Sequence, residues 1–195
     1  MEVLPLVLTS GWASGVNAYA VIVMLNLLGR YGGLDAVPGS VQHTSVLVLA
    51  GGMFLVEFVT DKIPYVDSAW DVISTVIRPT LGAMLGYLLA GQVHSVHQAW
   101  FAVIGEGSAL ASHLLKAGLR LAINTSPEPV TNIGVSLGED LTVTAVITLA
   151  LYHPWLALGV AVTLFVIGLL LLVALLGVAR RGWQSWRRRT QASHA

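Results

Sequence analysis

The stretch WLALGVAVTLFVIGLLLLVALLGV, residues 155–178, contains no charged side chain. An α-helix of about 20 consecutive apolar residues crosses the hydrocarbon core of a bilayer, so this stretch predicts a transmembrane helix. The whole chain agrees with it, being 55% hydrophobic and 10% charged, against roughly 25% charged residues in typical globular proteins. So few charges cannot cover a water-facing surface, which excludes an ordinary soluble domain.

The segment that follows this stretch is basic. Five of the ten Lys and Arg residues of the chain lie there, namely Arg180, Arg181, Arg187, Arg188 and Arg189. Because cytoplasmic segments of membrane proteins carry an excess of Lys and Arg, the C-terminus is expected in the cytoplasm. We therefore predict a single transmembrane domain, residues 1–178, followed by a basic cytoplasmic tail, residues 179–195. The expected location is the inner (plasma) membrane, with several crossings.

Five more apolar stretches precede the last one, separated by polar or proline-containing breaks. They cover roughly residues 3–28, 44–59, 67–90, 99–123 and 130–152. At ~20 residues per span, the chain is long enough for an all-α, polytopic membrane bundle of about six spans, with helical hairpins broken by residues such as Pro64. Six crossings would place the N-terminus on the same side as the C-terminus.

Two short similarities indicate an internal repeat, and they are not compatible with one another. In the first, Gly11–Ser14 and Gly105–Ser108 share the pattern G-x-x-S near the starts of the first and fourth stretches. This alignment relates two halves, residues 1–91 and 97–178. Three-span halves of this kind would form an inverted repeat, as in many transporters.

The second similarity concerns the breaks DKIPYVD at residues 61–67 and NTSPEPVTN at residues 124–132. In each, a proline stands three residues before a polar residue, Asp67 or Asn132. This alignment relates two helical hairpins in the same orientation. Both alternatives stay open at this level.

Acidic residues within the apolar stretches are candidates for function. A charged residue at the centre of a membrane helix costs about 2.5 kcal/mol or more, so such residues usually face the bundle interior and pair with one another. The first group is Glu57, Asp61, Asp67 and Asp71, with Lys62 among them. A hairpin hinged between the two carboxylate pairs would bring them together, where they could bind a cation or carry protons. The plainer alternative is that Asp61 and Asp67 only cap helix ends at the water interface.

A second polar group lies in the fifth stretch. Asn132, Ser136, Glu139 and Asp140 recur at helical spacing, and Glu128 precedes them. At least one of the adjacent acids Glu139 and Asp140 should face the interior, because neighbouring residues point about 100° apart around a helix. The available counter-charges are Arg78, Lys116 and Arg120. The alternative is a set of structural ion pairs that fix helix packing.

A third group consists of small residues in the first and fourth stretches. It comprises Gly11, Ser14, Gly15, Gly105, Gly107, Ser108 and Ser112. Small residues allow close approach of helices. Asn17, in an otherwise apolar run, favours a second interpretation, in which the first helix is discontinuous and its end faces an ion.

Several other classes of function are disfavoured. The chain has no Cys, which excludes disulfides, thiolate metal sites and cysteine nucleophiles. It contains no phosphate-binding loop, dinucleotide fingerprint or zinc-protease motif, and its one basic cluster is too short to predict nucleic-acid binding. His94 and His97 lack an obvious third metal ligand. We expect no cofactor.

Three runs carry a family resemblance. EFVTDKIPYVDSAWD at residues 57–71, IRPTLGA at 77–83 and KAGLRLAINTSPEP at 116–129 resemble a family of small bacterial membrane proteins known only as a domain of unknown function. The resemblance covers roughly residues 10–155. It implies a multi-span membrane fold and no particular activity.

These observations predict a small transporter or channel-like protein for an ion or small solute. The predicted ligands or proton carriers are Glu57, Asp61, Asp67, Asp71, Asn132, Glu139, Asp140 and Asn17. The expected partners are the lipid bilayer, a cation or proton, and other copies of the chain. One alternative is an enzyme or flippase that acts on a lipid head group, held by Arg78, Lys116 and Arg120. The other is a structural or assembly protein without chemistry.

Overall fold

The protein is described here by a computed structural model, which covers residues 3–63, 65–91, 95–124 and 129–192. All regular structure in these ranges is α-helical. The helices are α1 (Val3–Gly32), α2 (Thr44–Thr60), α3 (Val66–Leu89), α4 (Ser95–Ile123), α5 (Pro129–Tyr152) and α6 (Pro154–Ala192). Pro64, His94 and Glu128, for which the sequence raised expectations, lie outside the described residues.

The helices match the predicted apolar stretches and confirm an all-α membrane bundle. Four of them are long and apolar enough to cross a membrane: α1, α3, α5 and the part of α6 that ends at Val178. α2 is apolar but has only 17 residues. α5 and α6 each begin at a proline, which suits the first helical position because its backbone nitrogen needs no partner there. α6 continues through Ala192, so the predicted basic tail starts as an extension of the last helix.

α1 is interrupted at its centre. Asn17 has φ −152° and ψ 95°, an extended conformation inside the helical run. We call residues 3–16 α1a and residues 18–32 α1b. The Asn17 side chain caps the second piece, since its Oδ1 accepts a hydrogen bond from the Ala20 backbone N–H at 2.9 Å.

α1a lies parallel to α4. Ser108 Oγ donates to the Leu8 carbonyl at 2.8 Å, and two turns later Lys116 Nζ donates to the Val16 carbonyl at 2.9 Å. Contacts therefore advance in step along the two helices. This same-direction pairing differs from the inverted relation that the G-x-x-S similarity predicted for these two stretches.

α1b runs in the opposite direction to α1a. Asn17 contacts Asp140 in the middle of α5, and Gly32 lies beside Tyr152 at the end of α5. α1b thus follows α5, which is antiparallel to α4. α1 is therefore a hairpin that enters the bundle and returns to the end from which it started. The sequence predicted a single span here, with a helix made discontinuous near Asn17 as the alternative, and the break agrees with that alternative.

The hairpin changes the positions of the termini. Gly168 of α6 packs on Leu115 of α4, and one turn further Leu172 packs on Gly118, so α6 is parallel to α4. Val3 therefore lies at the end of the bundle where α4 begins, and the C-terminal part of α6 lies where α4 ends. The structure therefore places the two termini at opposite ends of the bundle, whereas six crossings would place them at the same end, because α1 turns back at Asn17.

Glycines bring α1a, α3 and α4 together at the end where α4 begins. A Cβ atom on Gly11 would lie 2.7 Å from the Gly105 carbonyl oxygen, and one on Gly82 would lie 2.8 Å from the same oxygen. A Cβ on Gly86 would overlap the Phe101 carbonyl. This region, formed by Gly11, Gly82, Gly86 and Gly105, is called the glycine end. It confirms the packing role predicted for Gly11 and Gly105.

Candidate functional site

The opposite half of the bundle, where α4 ends, contains a network of buried charges. Eight contacts of 4.0 Å or less join its acidic and basic side chains. Its members are Glu57, Asp61, Asp67, Asp71, Arg78, Lys116, Arg120 and Glu139, and we call them the charge network. Among these side chains, Glu139 is the most exposed at 19%, and the others do not exceed 5%. Residues predicted from four separate stretches thus converge in one place.

Arg78 of α3 binds groups from three other helices. Its Nη2 donates to Glu57 Oε1 at 2.6 Å, and its Nη1 lies 3.3 Å from Asp71 Oδ1. Nη1 also donates to the Gly15 carbonyl at 3.2 Å and lies 2.9 Å from His113 Nδ1. The guanidinium therefore satisfies a carbonyl left free where α1a ends, and it neutralises the acid at the end of α2.

Hydrogen bonding fixes the tautomer of His113. Because Arg78 can only donate, His113 Nδ1 must accept, which assigns the ring proton to Nε2. Nε2 then donates to Thr75 Oγ1 at 3.0 Å, and Thr75 donates to the Asp71 carbonyl at 2.9 Å. His113 is thus a neutral member of the site that links Arg78 to the backbone of α3.

Lys116 of α4 lies within a set of oxygens. Its Nζ is 2.7 Å from Asp61 Oδ2, 2.9 Å from the Val16 carbonyl and 3.3 Å from Glu139 Oε2. Glu57 Oε1 follows at 3.9 Å. The ammonium therefore joins the tip of the α1 hairpin, the end of α2 and the middle of α5.

Arg120, one turn further along α4, holds α5 in place. It makes a two-pronged contact with Glu139, at 2.6 Å from Nη2 and 3.3 Å from Nε. Its Nη1 donates to Asn132 Oδ1 at 2.8 Å and to the Asp61 carbonyl at 2.9 Å. Asp67 Oδ2 lies 3.5 Å away. Such forked contacts suit the planar guanidinium and not an ammonium.

The two helical hairpins, α2–α3 and α4–α5, cap each other. Asp67 at the start of α3 accepts hydrogen bonds at 2.9 and 3.1 Å from Asn124, just after α4. Asn132 near the start of α5 donates at 3.2 Å to the carbonyl of Asp61, just after α2. Both hairpins turn at the same end of the bundle. The reciprocal contacts agree with the alignment that related them in the same orientation.

Asp67 does not perform the plainer role of an N-cap: the N-cap of α3 is Tyr65, and no side chain forms a cap hydrogen bond there. Asp67 lies inside the first turn of α3, and its Oδ1 accepts a hydrogen bond at 2.6 Å from the Ser68 backbone N–H. Its position near the helix N-terminus still suits a negative charge.

Asp140 lies beside the helix break without a cationic partner. Asn17 Nδ2 donates to its Oδ1 at 2.9 Å. No Lys or Arg nitrogen of the described residues lies within 4.0 Å of it. The N-terminus of α1b lies next to this carboxylate, and the partial positive charge of a helix N-terminus stabilises an anion there.

Acids outnumber bases in this half of the bundle. With Asp140, six carboxylates face three buried cations, Arg78, Lys116 and Arg120. Lys62 is half-buried and donates to the Phe58 carbonyl and to Ser136. Several buried oxygens have no hydrogen-bond partner in the described structure, namely Glu57 Oε2, Asp61 Oδ1, Asp71 Oδ1 and Oδ2, and Asp140 Oδ2.

A cavity of about 310 Å³ adjoins the charge network. It lies between α1a, α4, α5 and α6, and its walls include Trp12 and Phe165. Lys116 and Glu139 contribute its charged atoms. Within the described residues, no three His, Asp or Glu side chains are arranged to hold a metal ion.

Asn124 and His113 were not predicted as members of the site, although Asn124 follows the spacing of the polar residues of α4. Lys116, Arg120 and Asn124 lie four residues apart, as do the two serines that precede them. One polar stripe therefore runs along α4, with members at every fourth residue from Ser108 to Asn124. His113 follows Ser112, off this stripe, and its side chain is fully buried. Its role in the site follows only from its contact with Arg78 in the folded structure.

Comparison with known proteins identifies a family. The family model described as a domain of unknown function (DUF4126) matches residues 4–174. The match includes α1 with its break, the charge network and most of α6. No curated protein and no solved structure matches the chain.

Proposed function

We propose a function from the geometry alone, because the chain belongs to the DUF4126 family, which is described only as a domain of unknown function. The function is that of a small transporter or channel-like protein, which moves an ion or a small solute across the membrane. Protonation of intramembrane carboxylates, or binding of a cation to them, would drive the change of state.

One observation carries this proposal: the five carboxylates of the charge network share three buried cations, and Asp140 lies next to them without one, beside a helix that is broken in the middle of the bundle. Unpaired negative charge is costly in such an environment. Binding of protons or cations removes the excess negative charge, so the occupancy of these carboxylates and the stability of the fold are coupled. Asp140 and Asp71 are the best placed for this, since Asp140 has no cationic partner and neither oxygen of Asp71 accepts a hydrogen bond within the described residues.

The broken helix supports the same function. In many transporters, the substrate and ion sites lie where discontinuous helices expose backbone carbonyls and helix ends near the centre of the bilayer. Here the Gly15 and Val16 carbonyls, at the end of α1a, point toward cationic side chains. The Asn17 side chain and Asp140 lie at the start of α1b.

The two alternatives explain less of the structure. A phosphate head group would need free cationic groups, and Arg78, Lys116 and Arg120 all contact carboxylates. A purely structural network would be expected to balance its charges, as this one does not. Lipid identified by mass spectrometry in the purified protein, in amounts equal to the protein, would favour the head-group alternative.

We also propose that the basic C-terminal tail lies in the cytoplasm of the cell, with the protein in the inner membrane. Because the termini lie at opposite ends of the bundle, the N-terminus would then lie outside. Reporter enzymes fused to each end would test this orientation, and activity of both on one side would contradict it.

The function is tested by flux into proteoliposomes. Proton flux driven by a potassium diffusion potential is measured with a pH-sensitive dye inside the vesicles, with and without the protein. The assay is repeated for sodium, rubidium and ammonium. We expect protein-dependent flux, lost in Asp140→Asn and Glu57→Gln.

Glu106→Gln is the matched control, since Glu106 is an exposed acid of α4 outside the charge network, and its flux should equal that of the wild type. Flux that is absent for every ion, or unchanged in both network variants, would contradict the proposal.

A further inference from the structure

The Lys116 ammonium has the surroundings of a bound monovalent cation. Its three N–H groups face three oxygens at 2.7, 2.9 and 3.3 Å, which come from Asp61, Val16 and Glu139. A fourth oxygen, Glu57 Oε1, lies 3.9 Å away. We call this set of four oxygens the ammonium cage. Three of the four groups belong to different helices or helix ends, so the cage exists only in the assembled bundle.

The distances indicate the kind of ion that would fit. Ca²⁺ binds oxygens at about 2.3–2.6 Å and Mg²⁺ at about 2.0–2.1 Å, whereas the cage oxygens surround a centre at 2.7–3.3 Å. A backbone carbonyl among the ligands is also typical of sites that replace the hydration shell of potassium. Ammonium itself matches directly, since it differs from the end of a lysine only by a proton in place of the carbon.

Unused oxygens at the cage give a second and independent indication of a ligand. Glu57 Oε2 and Asp61 Oδ1 have no hydrogen-bond partner in the described structure, and their residues are 0% and 3% exposed. Buried polar atoms are normally satisfied. These two oxygens lie on the carboxylates that contact Lys116, and a free cation that replaces the ammonium in the cage could use them.

We propose that the cage is a binding site for a monovalent cation of potassium or ammonium size, and that Lys116 is a tethered occupant of it. A free cation binds when the lysine side chain withdraws. The binding site itself does not depend on the proposed function. Only the identification of this cation as the transported ion rests on it.

The adjoining cavity provides space into which the Lys116 side chain can move. Lys116 lines the 310 Å³ space between α1a, α4, α5 and α6, together with Glu139. The side chain is a flexible four-carbon stem, and Glu139 is the partner that borders both the cage and the cavity. The ammonium can therefore keep one carboxylate while it leaves Asp61 and the Val16 carbonyl.

The test removes the lysine side chain that occupies the cage. In Lys116→Ala, ammonium or rubidium should enter the vacated cage and stabilise the protein, whereas choline is too large. Thermal unfolding of the detergent-solubilised full chain is measured in each chloride salt at equal ionic strength. Ammonium and rubidium should raise the Tm of Lys116→Ala by about 5–10 °C at a hundredfold excess over the dissociation constant. Wild type should show no difference between the salts.

Lys62→Ala is the matched control. Lys62 also lies at the charged end, but its amino group contacts the Phe58 carbonyl and Ser136, and no carboxylate of the described chain lies within 4.0 Å of it. This variant should give the same Tm in ammonium and choline. The double variant Lys116→Ala/Glu139→Gln removes one charge of each sign, and it should fold in choline and lose most of the response.

Equilibrium binding of radioactive rubidium provides the second measurement: Lys116→Ala should bind it and the double variant should bind it more weakly. The proposal fails if folded Lys116→Ala unfolds at the same temperature in all salts and binds no rubidium. It also fails if Lys116→Ala cannot be obtained folded even when extracted in ammonium, since the free ion then cannot replace the lysine. Rubidium binding by Lys116→Ala without flux through the wild type would leave the cage standing and refute the transport function.

Discussion

The helices α3 and α4 are joined by opposite kinds of contact at their two ends. At the glycine end, Gly82 and Gly105 let the backbones touch, with no polar side chain between them. About 20 Å away along α4 by helical rise, Arg120 Nη1 lies 3.5 Å from Asp67 Oδ2 of α3, and Asn124, just after α4, donates hydrogen bonds to the same carboxylate.

This difference separates contacts that fix the shape of the bundle from contacts that can respond to pH or ion concentration. Contacts between glycine backbones depend on volume and do not change with pH or ion concentration. Contacts in the charge network depend on which carboxylates carry protons or cations. Any conformational response to an ion should therefore begin at the charged end, with the glycine end as the fixed reference.

The largest effect is expected from breaking the glycine end. Gly105→Val would push a side chain into the Gly82 carbonyl on one side, with the Gly86 Cα 3.3 Å away. Overpacking a core usually costs about 1–3 kcal/mol, and backbone atoms cannot rotate away as a side chain can. We expect a loss of more than about 3 kcal/mol, seen as little or no folded protein by size-exclusion chromatography.

Gly107→Val is the control for this prediction. Gly107 lies two residues further along α4, and a Cβ there would meet nothing within 4 Å. The change in intrinsic helix propensity from Gly to Val is the same in both variants, so the difference between them measures packing alone. Equal yields of the two folded variants would contradict the close packing of α3 on α4.

An intermediate effect is expected from removing one charge at the other end. Arg78→Met leaves Glu57 buried without its closest cation, and breaking a buried pair from one side typically costs about 3–5 kcal/mol. Thermal unfolding should show the loss, and it should shrink in acidic buffer, where Glu57 takes up a proton.

The double variant Arg78→Met/Glu57→Gln should recover part of the stability, because the buried charge of Glu57 is removed together with its partner, while Asp71 still lacks the cation that lay 3.3 Å from it. Gly105→Val should show no such recovery with pH. If Arg78→Met were as stable as wild type at neutral pH, the network would not hold the helices together.

The smallest effect is expected at the tip of the α1 hairpin, which lies against the charge network. Asn17→Ala removes the cap of α1b and the contact with Asp140. Each is worth about 1 kcal/mol. Asn17→Ser should lose only about half as much, since a serine can cap the helix but has no amide to donate to Asp140. Chemical unfolding curves that put the serine and alanine variants at the same stability would show that the cap contributes nothing.

Much of the charge network could be predicted from the sequence, because a charge in an apolar stretch must find a partner. Glu57, Asp71 and Arg78 were expected to converge on that ground, and the structure brings them within ion-pair distance. The membership of Lys116 and Arg120 follows from the same argument. Their roles in binding remain predictions.

The hairpin in α1 could not be predicted as firmly. Hydropathy treats residues 3–32 as one apolar segment long enough to cross, and only Asn17, with the small residues before it, hinted at a break. The partners that make the break tolerable are Arg78 and Lys116, which bind the carbonyls of Gly15 and Val16. Every residue has a backbone carbonyl, so the residue types in a sequence do not indicate which carbonyls such side chains will contact.

The α1 hairpin also has a consequence for biosynthesis. During translation, residues 3–32 enter the membrane about 50 residues before Arg78 and about 85 before Lys116 have been made. Until then the carbonyls at the tip have no donors, and unsatisfied backbone groups in hydrocarbon cost several kcal/mol each. We therefore expect the newly made segment to begin as an ordinary straight helix, and to fold back only when α3 and α4 arrive to receive it.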